Sequence, residues 1–306
     1  RLQGDWSSDV CSSDLLVIPH VIMGRIAITD GMDPSAVNRL RDAGHDVVEQ
    51  HYTEDELVNG AISDFDAIVV RSATKLTSEI LSNENKLSFI GRAGVGVDNI
   101  DIETASSLGI VVCNTPQSST NSVVELTVGH LLASCRHITR GDRGLREGLW
   151  EKKQLKGTEL SGKRLGLIGF GRIAQGVASV ALAMGMECHA FDPYVPATIA
   201  RKFDCTMHED VDSLFRLCTH ISIHCNLTEE TYHLVNSKRI EMMPTSAPNG
   251  VSCGNHIVNC ARGGIVDELA VLNALESGDL TSVALRSEEH TSELQSPCNL
   301  VCRLLL

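Results

Sequence analysis

Gly169-Phe170-Gly171-Arg172-Ile173-Ala174 is a G-x-G-x-x-G/A string, and an aspartate, Asp192, follows its first glycine at a distance of 23 residues. This pattern can bind a dinucleotide. The first glycine permits a tight turn, the second leaves room for a pyrophosphate to approach the backbone, and a small third residue lets a helix pack closely on a strand. Arg172 and Ile173 open that helix, whose unpaired N–H groups and positive dipole end suit phosphate. Asp192 can accept hydrogen bonds from ribose hydroxyls and repels a 2′-phosphate, so the expected cofactor is NAD rather than NADP. Arg262, in the string Ala261-Arg262-Gly263-Gly264, offers a planar fork that can grip a carboxylate and polarise a carbonyl.

These side chains need elements to place them. Residues 164–168 read as a buried strand running into the glycines, 173–184 as the helix after them, and 187–191 as the strand that ends at Asp192. Alternation continues with helices over 211–218, 237–243 and 267–277 and strands over 220–224, 256–260 and 282–285. Upstream, strands are expected over 25–29, 46–49, 67–71 and 110–113, with a helix over 34–43 and Phe89-Ile90 leading into a glycine-rich stretch, 91–96. The predicted fold class is α/β: a Rossmann-type doubly wound parallel sheet plus a smaller flavodoxin-like α/β domain. Ligands are expected at the carboxyl ends of the strands, where Cys225, Cys260 and Arg262 fall. His220 and His224 sit on a strand and read as histidines with local hydrogen bonds rather than catalytic groups. Ser122-Val123-Val124-Glu125 fits a capping box opening a long helix, and residues 140–153 are charged and broken by glycine, so the chain is expected to arc outward there. The expected domains are 24–115 for substrate, incomplete, and 116–285 for NAD, with the passage between them inside 116–160.

Composition narrows the function classes. The 306 residues carry 26 Lys+Arg and 39 Asp+Glu, a formal net charge of −13. An acidic chain is a poor match for nucleic acid or an anionic membrane, so neither is expected as a partner. No stretch is long and apolar enough for a spanning helix. The 11 cysteines are odd in number and contain no C-x-x-C, so reduced buried thiols in a cytoplasmic protein are expected and no metal site is. Residues 1–23 and 286–306 match no element period and read as non-native leader and tail.

Residues 24–285 carry, in order, Val70-Arg71-Ser72-Ala73-Thr74-Lys75, the run from Gly91 through Gly94 and Gly96 to Asn99, Asn114-Thr115-Pro116, the run from Gly157 to Lys163, the fingerprint, and the run from Val258 to Glu268. In these the chain resembles the D-isomer-specific 2-hydroxyacid dehydrogenases, and within them the enzymes acting on phosphoglycerate. The resemblance implies NAD-dependent oxidation of 3-phospho-D-glycerate to 3-phosphohydroxypyruvate, the first step of serine biosynthesis. It implies that Arg262 is catalytic, holding the substrate carboxylate and carbonyl oxygen. It implies that Arg71, Ser72 and Arg92 lie near the phosphate end of the substrate, and that Gly94 and Gly96 turn backbone N–H groups toward its carboxylate. A homodimer is implied, with the helix at Ser122 and the arm over 140–153 in the interface. Alternatives are a hydroxypyruvate or glyoxylate reductase, and a non-catalytic NAD-sensing protein like the co-repressors on this fold.

The chain departs from the family in two places. Arg286-Ser287 stands where the family continues toward its catalytic Glu and His, so the polypeptide as written is expected to be inactive. Residues 244–255, with two Pro and two Gly, are longer than the family's usual turn and read as a tolerated surface loop away from the cofactor.

Overall fold

The computed structural model describes residues 23–83, 86–286 and 300–303. Most of the expected foreign leader and tail, and the family's Glu and His beyond Arg286, fall outside the described residues; within the expected tail, residues 300–303 form a strand where no element was expected. The chain divides into two units, residues 1–119 and 120–306.

The first unit runs β1 (Arg25–Ile28), α1 (Pro34–Asp42), β2 (Asp46–Glu49), α2 (Glu54–Val58), β3 (Ala67–Val70), α3 (Ser78–Ser82), β4 (Phe89–Arg92), α4 (Ile102–Ser107) and β5 (Val111–Asn114). Its five strands are parallel in the order β2-β1-β3-β4-β5. This is the flavodoxin-like order, whose switch point lies between β1 and β3. The helices start where the sequence supplies caps. Asp33 accepts from the N–H of Ser35 with Pro34 at the first helical position, and Thr53 with Glu56 forms a capping box. The core collects Ile68, Val70, Leu76, Ile80, Leu81 and Ile90, all buried.

The second unit runs α5 (Thr120–Arg136), α6 (Ile138–Arg146), β6 (Arg164–Ile168), α7 (Arg172–Ala183), β7 (Glu187–Phe191), α8 (Ala197–Arg201), β8 (Cys205–Met207), α9 (Val211–Leu217), β9 (His220–Ile223), α10 (Ser237–Ile240), β10 (His256–Asn259), α11 (Glu268–Ser277), β11 (Ser282–Leu285) and β12 (Leu300–Arg303). Its seven parallel strands lie in the order β12-β11-β10-β9-β6-β7-β8. From β8 to β11 this is the doubly wound 3-2-1-4-5-6 order, with its switch point between β6 and β9. Central strands β9, β10 and β11 are buried at every position, as expected of strands covered on both faces.

Local readings need correction in three places. The long helix begins at Thr120, two residues before the expected cap at Ser122, because residues 116–119 already coil as a turn closed by Ser118 N–H on the Thr115 carbonyl. Overlapping the stretch 140–153, read as irregular, residues 138–146 form a second helix, entered through His137 in the left-handed region at φ 53°. Residues 244–255 are not simply a surface loop, since Ala247 and Cys253 are buried. The edge strand β8 and the short helices α2, α3, α4 and α8 were not anticipated, being only three to six residues long.

Candidate functional site

The fingerprint sits where β6 turns into α7. Gly169 has φ +84°, and a Cβ there would lie 2.9 Å from the Cys225 nitrogen and the His224 carbonyl. No side chain fits both the conformation and the space. Gly171 is the opposite case. It is the N-cap of α7, gives no side-chain cap, and a Cβ on it would meet nothing within 4 Å. The open space lies over the first turn of a 12-residue helix, where the N–H groups of Arg172 and Ile173 have no intrahelical acceptor. Ala174 is fully buried, and Gly176, two residues on, meets Val124 of α5 so closely that a Cβ would lie 2.7 Å from its methyl.

Asp192 does more than stand at the end of β7. Its Oδ2 accepts the Phe170 N–H at 2.7 Å, and its Oδ1 accepts the N–H groups of Tyr194 at 2.8 Å and Val195 at 3.1 Å. Three of about four lone-pair positions are thereby taken by backbone. The carboxylate is held rigidly beside the glycines, with its charge and a remaining lone pair on Oδ2.

A cavity of about 500 Å3 opens at this switch point, lined by Gly169, Gly171, Asp192, Tyr194, Cys225 and Asn226 among others. Cys225 thus lies where the sequence put it, on the loop after β9, and burial pushes its thiol up to about 11. Cys260 does not line this cavity. It is buried after β10 with Val258 and Ala284 around it. His224 bonds Ser222 through Nε2 at 2.9 Å, and burial lowers it to about 4. An open cradle at Gly171, free helix N–H groups and a fixed carboxylate fit the diphosphate and ribose of a dinucleotide.

Arg262 lies half-buried on the loop after β10. Asn259 clamps that loop, accepting the Ala261 N–H at 2.9 Å and donating to the Arg262 carbonyl at 2.7 Å. The Arg262 guanidinium donates to the Ala261 carbonyl at 2.9 Å.

In the first unit, Arg71 and Ser72 follow β3 while Arg92, Gly94 and Gly96 lie at the end of its neighbour β4, so one sheet edge gathers all five. Arg92 folds back over Gly94, where any Cβ would collide with its guanidinium. Arg71 is exposed on a loop fixed by an aspartate that the sequence reading overlooked. Asp30, just past β1, accepts the N–H groups of Arg71 at 2.7 Å and Thr74 at 3.1 Å, and the Thr74 hydroxyl at 2.6 Å. Burial works against the Asp30 carboxylate, but these hydrogen bonds prevail and hold it below its usual range. Asn99 donates to the carbonyls of Arg71 at 2.8 Å and Thr74 at 2.7 Å. The β1/β3 switch point is thus built from Asp30, Asn99, Arg71 and Thr74. Position just after the first strand was the signal available for Asp30.

A doubly wound sheet with this loop and acid defines a dinucleotide-binding protein. Residues 128–296 match the D-isomer specific 2-hydroxyacid dehydrogenase NAD binding domain. The chain is 42% identical over 283 residues to the hydroxypyruvate reductase of Thermotoga maritima, covering 92% of this chain and 87% of that one. It is 40% identical over 275 residues to the D-3-phosphoglycerate dehydrogenase of Methanocaldococcus jannaschii, covering 90% of this chain and 51% of that one. The solved D-lactate dehydrogenase of Aquifex aeolicus, complexed with NAD and lactic acid, matches with TM-score 0.74 and 28% identity over 86% of this chain and 77% of that one. The chain belongs to the D-isomer-specific 2-hydroxyacid dehydrogenase family, and its cofactor is NAD. It spans about half the length of the phosphoglycerate dehydrogenases it matches. Among the described residues no helix is long and apolar enough to cross a membrane.

Proposed function

We propose that the chain serves an NAD-dependent dehydrogenase that oxidises 3-phospho-D-glycerate to 3-phosphohydroxypyruvate, the first step of serine biosynthesis. The observation carrying this reading is the loop after β3. Among the described residues, Arg71 has no carboxylate partner for its guanidinium, and its backbone is fixed on Asp30. An exposed cation on a fixed loop suits a phosphate.

Bound NAD supplies the hydride acceptor. The first turn of α7, with Gly171 open above it, holds the diphosphate, and Asp192 takes a ribose hydroxyl. Cys225 and Cys260 belong to the loops after β9 and β10 near the nicotinamide half. Arg262 binds the substrate carboxylate and stabilises negative charge developing on the C2 oxygen as the hydroxyl gives up its proton. Arg71, Ser72 and Arg92 bind the phosphate, and the N–H groups around Gly94 and Gly96 bind a carboxylate oxygen. The proton acceptor is left unassigned among the described residues.

A second reading, reduction of hydroxypyruvate, is favoured by the Thermotoga maritima relative, of whose length the chain covers 87%. Isothermal titration of the NADH-loaded chain with 3-phosphoglycerate, D-glycerate and hydroxypyruvate separates the two. Tighter binding of the phosphorylated acid, lost in Arg71→Ala, supports the first. Equal binding of the unphosphorylated acids, indifferent to that substitution, overturns it.

The partner is a small phosphorylated 2-hydroxy acid, and a second copy of the chain is proposed as well. Leu145, Leu149 and Trp150 follow one another along α6 and the turn after it, and Trp150 is 79% exposed.

A further inference from the structure

At the end of the second sheet opposite the cofactor loop, His220 opens β9 and His256 opens β10. The two are register partners on paired strands, and their rings stack with centroids 4.7 Å apart. Cys135, in the last turn of α5, brings its Sγ to 3.3 Å from His220 Nε2. One ligand atom from each of the three lies within 4.8 Å of the others, and all three residues are buried. A fourth soft ligand stands beside them. Cys253 is buried on the 244–255 loop, and with Cys135, His137 and His256 it lines a cavity of about 520 Å3. Neither the cofactor chemistry nor the substrate loops use any of these groups.

We propose that Cys135, His220, His256 and Cys253 bind one zinc-class divalent cation. Two thiolates and two imidazoles are the donor set that zinc prefers in closed tetrahedral sites. The 3.3 Å sulfur–nitrogen separation is close to the edge of such a tetrahedron, about 3.6 Å for bonds of about 2.3 and 2.05 Å. The remaining spans, at most 4.8 Å within the trio, close by side-chain rotation.

Outer partners are in place. His220 Nδ1 lies 2.9 Å from Thr219 Oγ1, so the tautomer that donates its proton there leaves the Nε2 lone pair facing Cys135. His256 Nε2 lies 3.1 Å from the Cys253 carbonyl and Nδ1 lies 2.7 Å from Ser282 Oγ. A carbonyl only accepts, so Nε2 carries the proton in the empty site. On loading, that proton moves to Nδ1 and is donated to Ser282, the Cys253 carbonyl is released, and its thiol turns to the metal. Both cysteines lose their S–H protons to solvent, two metal–sulfur and two metal–nitrogen bonds form, and no electron changes hands. A dication with two thiolates is neutral overall, so no net charge is buried and the metal offsets the desolvation of each thiolate. Burial holds both imidazoles in the neutral, ligating form; burial and then the neighbouring Cys253 oppose the thiolate at Cys135, while Lys163 and Arg136 favour it. His137 faces His256 from the α5–α6 junction. Asn255 Oδ1, a buried acceptor lacking a donor among the described residues, also belongs to a residue of the cavity wall.

The test is titration of the chelator-stripped full chain with Co2+ alone, read by visible and near-ultraviolet absorbance. One equivalent is expected to bind, with sulfur-to-cobalt charge transfer and the intense bands of tetrahedral Co2+, both bleached by one equivalent of Zn2+. Cys135→Ser and Cys253→Ser should each remove about half of the charge-transfer intensity, while NADH titration, read at the other end of the strands, stays unchanged. Absence of charge transfer in the unmodified chain overturns the proposal whether or not any variant folds. So does a spectrum indifferent to either cysteine substitution.

Discussion

The Asp192 carboxylate accepts the backbone N–H of Phe170 at 2.7 Å, so the acid meant for the ribose also braces the middle of the glycine fingerprint. Two functions rest on one side chain. Asp192→Asn keeps an acceptor but loses the charge. A hydrogen bond to a charged group contributes about 1.5–3 kcal/mol, so NADH affinity should fall roughly tenfold to a hundredfold. NADPH, freed from repulsion, should lose less. Fluorescence titration with both cofactors checks this, and an unchanged NADH-to-NADPH ratio would count against the ribose role.

Gly169 and Gly171 are two residues apart and should respond oppositely to alanine. Gly169→Ala meets backbone at 2.9 Å in a left-handed conformation, which should cost on the order of 1–3 kcal/mol of stability. Gly171→Ala meets nothing, and should leave the urea midpoint within about 0.5 kcal/mol of the parent while weakening NADH binding, because the methyl occupies the diphosphate's place. Equal unfolding by both would refute the assignment.

Asp30 fixes the loop that carries Arg71. Asp30→Ala removes acceptors from two N–H groups and one hydroxyl, and should destabilise by about 1–3 kcal/mol in urea denaturation. If the loop's rigidity serves phosphate binding, affinity for 3-phosphoglycerate should fall along with stability. Thr74→Val should lose the hydroxyl's contacts with Asp30 at 2.6 Å and with the Thr29 hydroxyl at 2.8 Å but keep both N–H bonds to the Asp30 carboxylate, and so show the smaller effect on 3-phosphoglycerate affinity.

The parts legible in the sequence were those encoded locally. The string from Arg164 to Ala174 carries strand, turn and helix start within eleven residues, and Asp192 ends the next strand, so the cofactor loop could be read without a fold. Asp30 was harder to read, because its partners Arg71 and Thr74 are 41 and 44 positions away and only its place just after the first strand marks it. The same holds for Cys135 and His220, 85 residues apart. The absence of a C-x-x-C pair argued against a metal only for ligands adjacent in sequence, whereas parallel strands place their first residues side by side whatever lies between. The start of α5 was misread because the Ser122–Glu125 spacing satisfies a cap rule that the preceding turn had made unnecessary.

His224 gives a test by acid. Its value near 4 lies below the ordinary 6.5 of a histidine because burial penalises the charged form. Between those two values the unfolded chain binds a proton that the folded chain refuses, so stability falls as pH falls. The contribution is nearly absent at pH 7 and should reach about 2 kcal/mol of destabilisation at pH 5. His224→Gln retains a group able to bond Ser222 and removes the titration. Urea unfolding of both proteins at pH 7 and pH 5 should therefore show the variant losing about 2 kcal/mol less than the parent on acidification. Identical losses would mean that His224 takes up its proton in the native state, and the loop after β9 would then be open to water rather than packed.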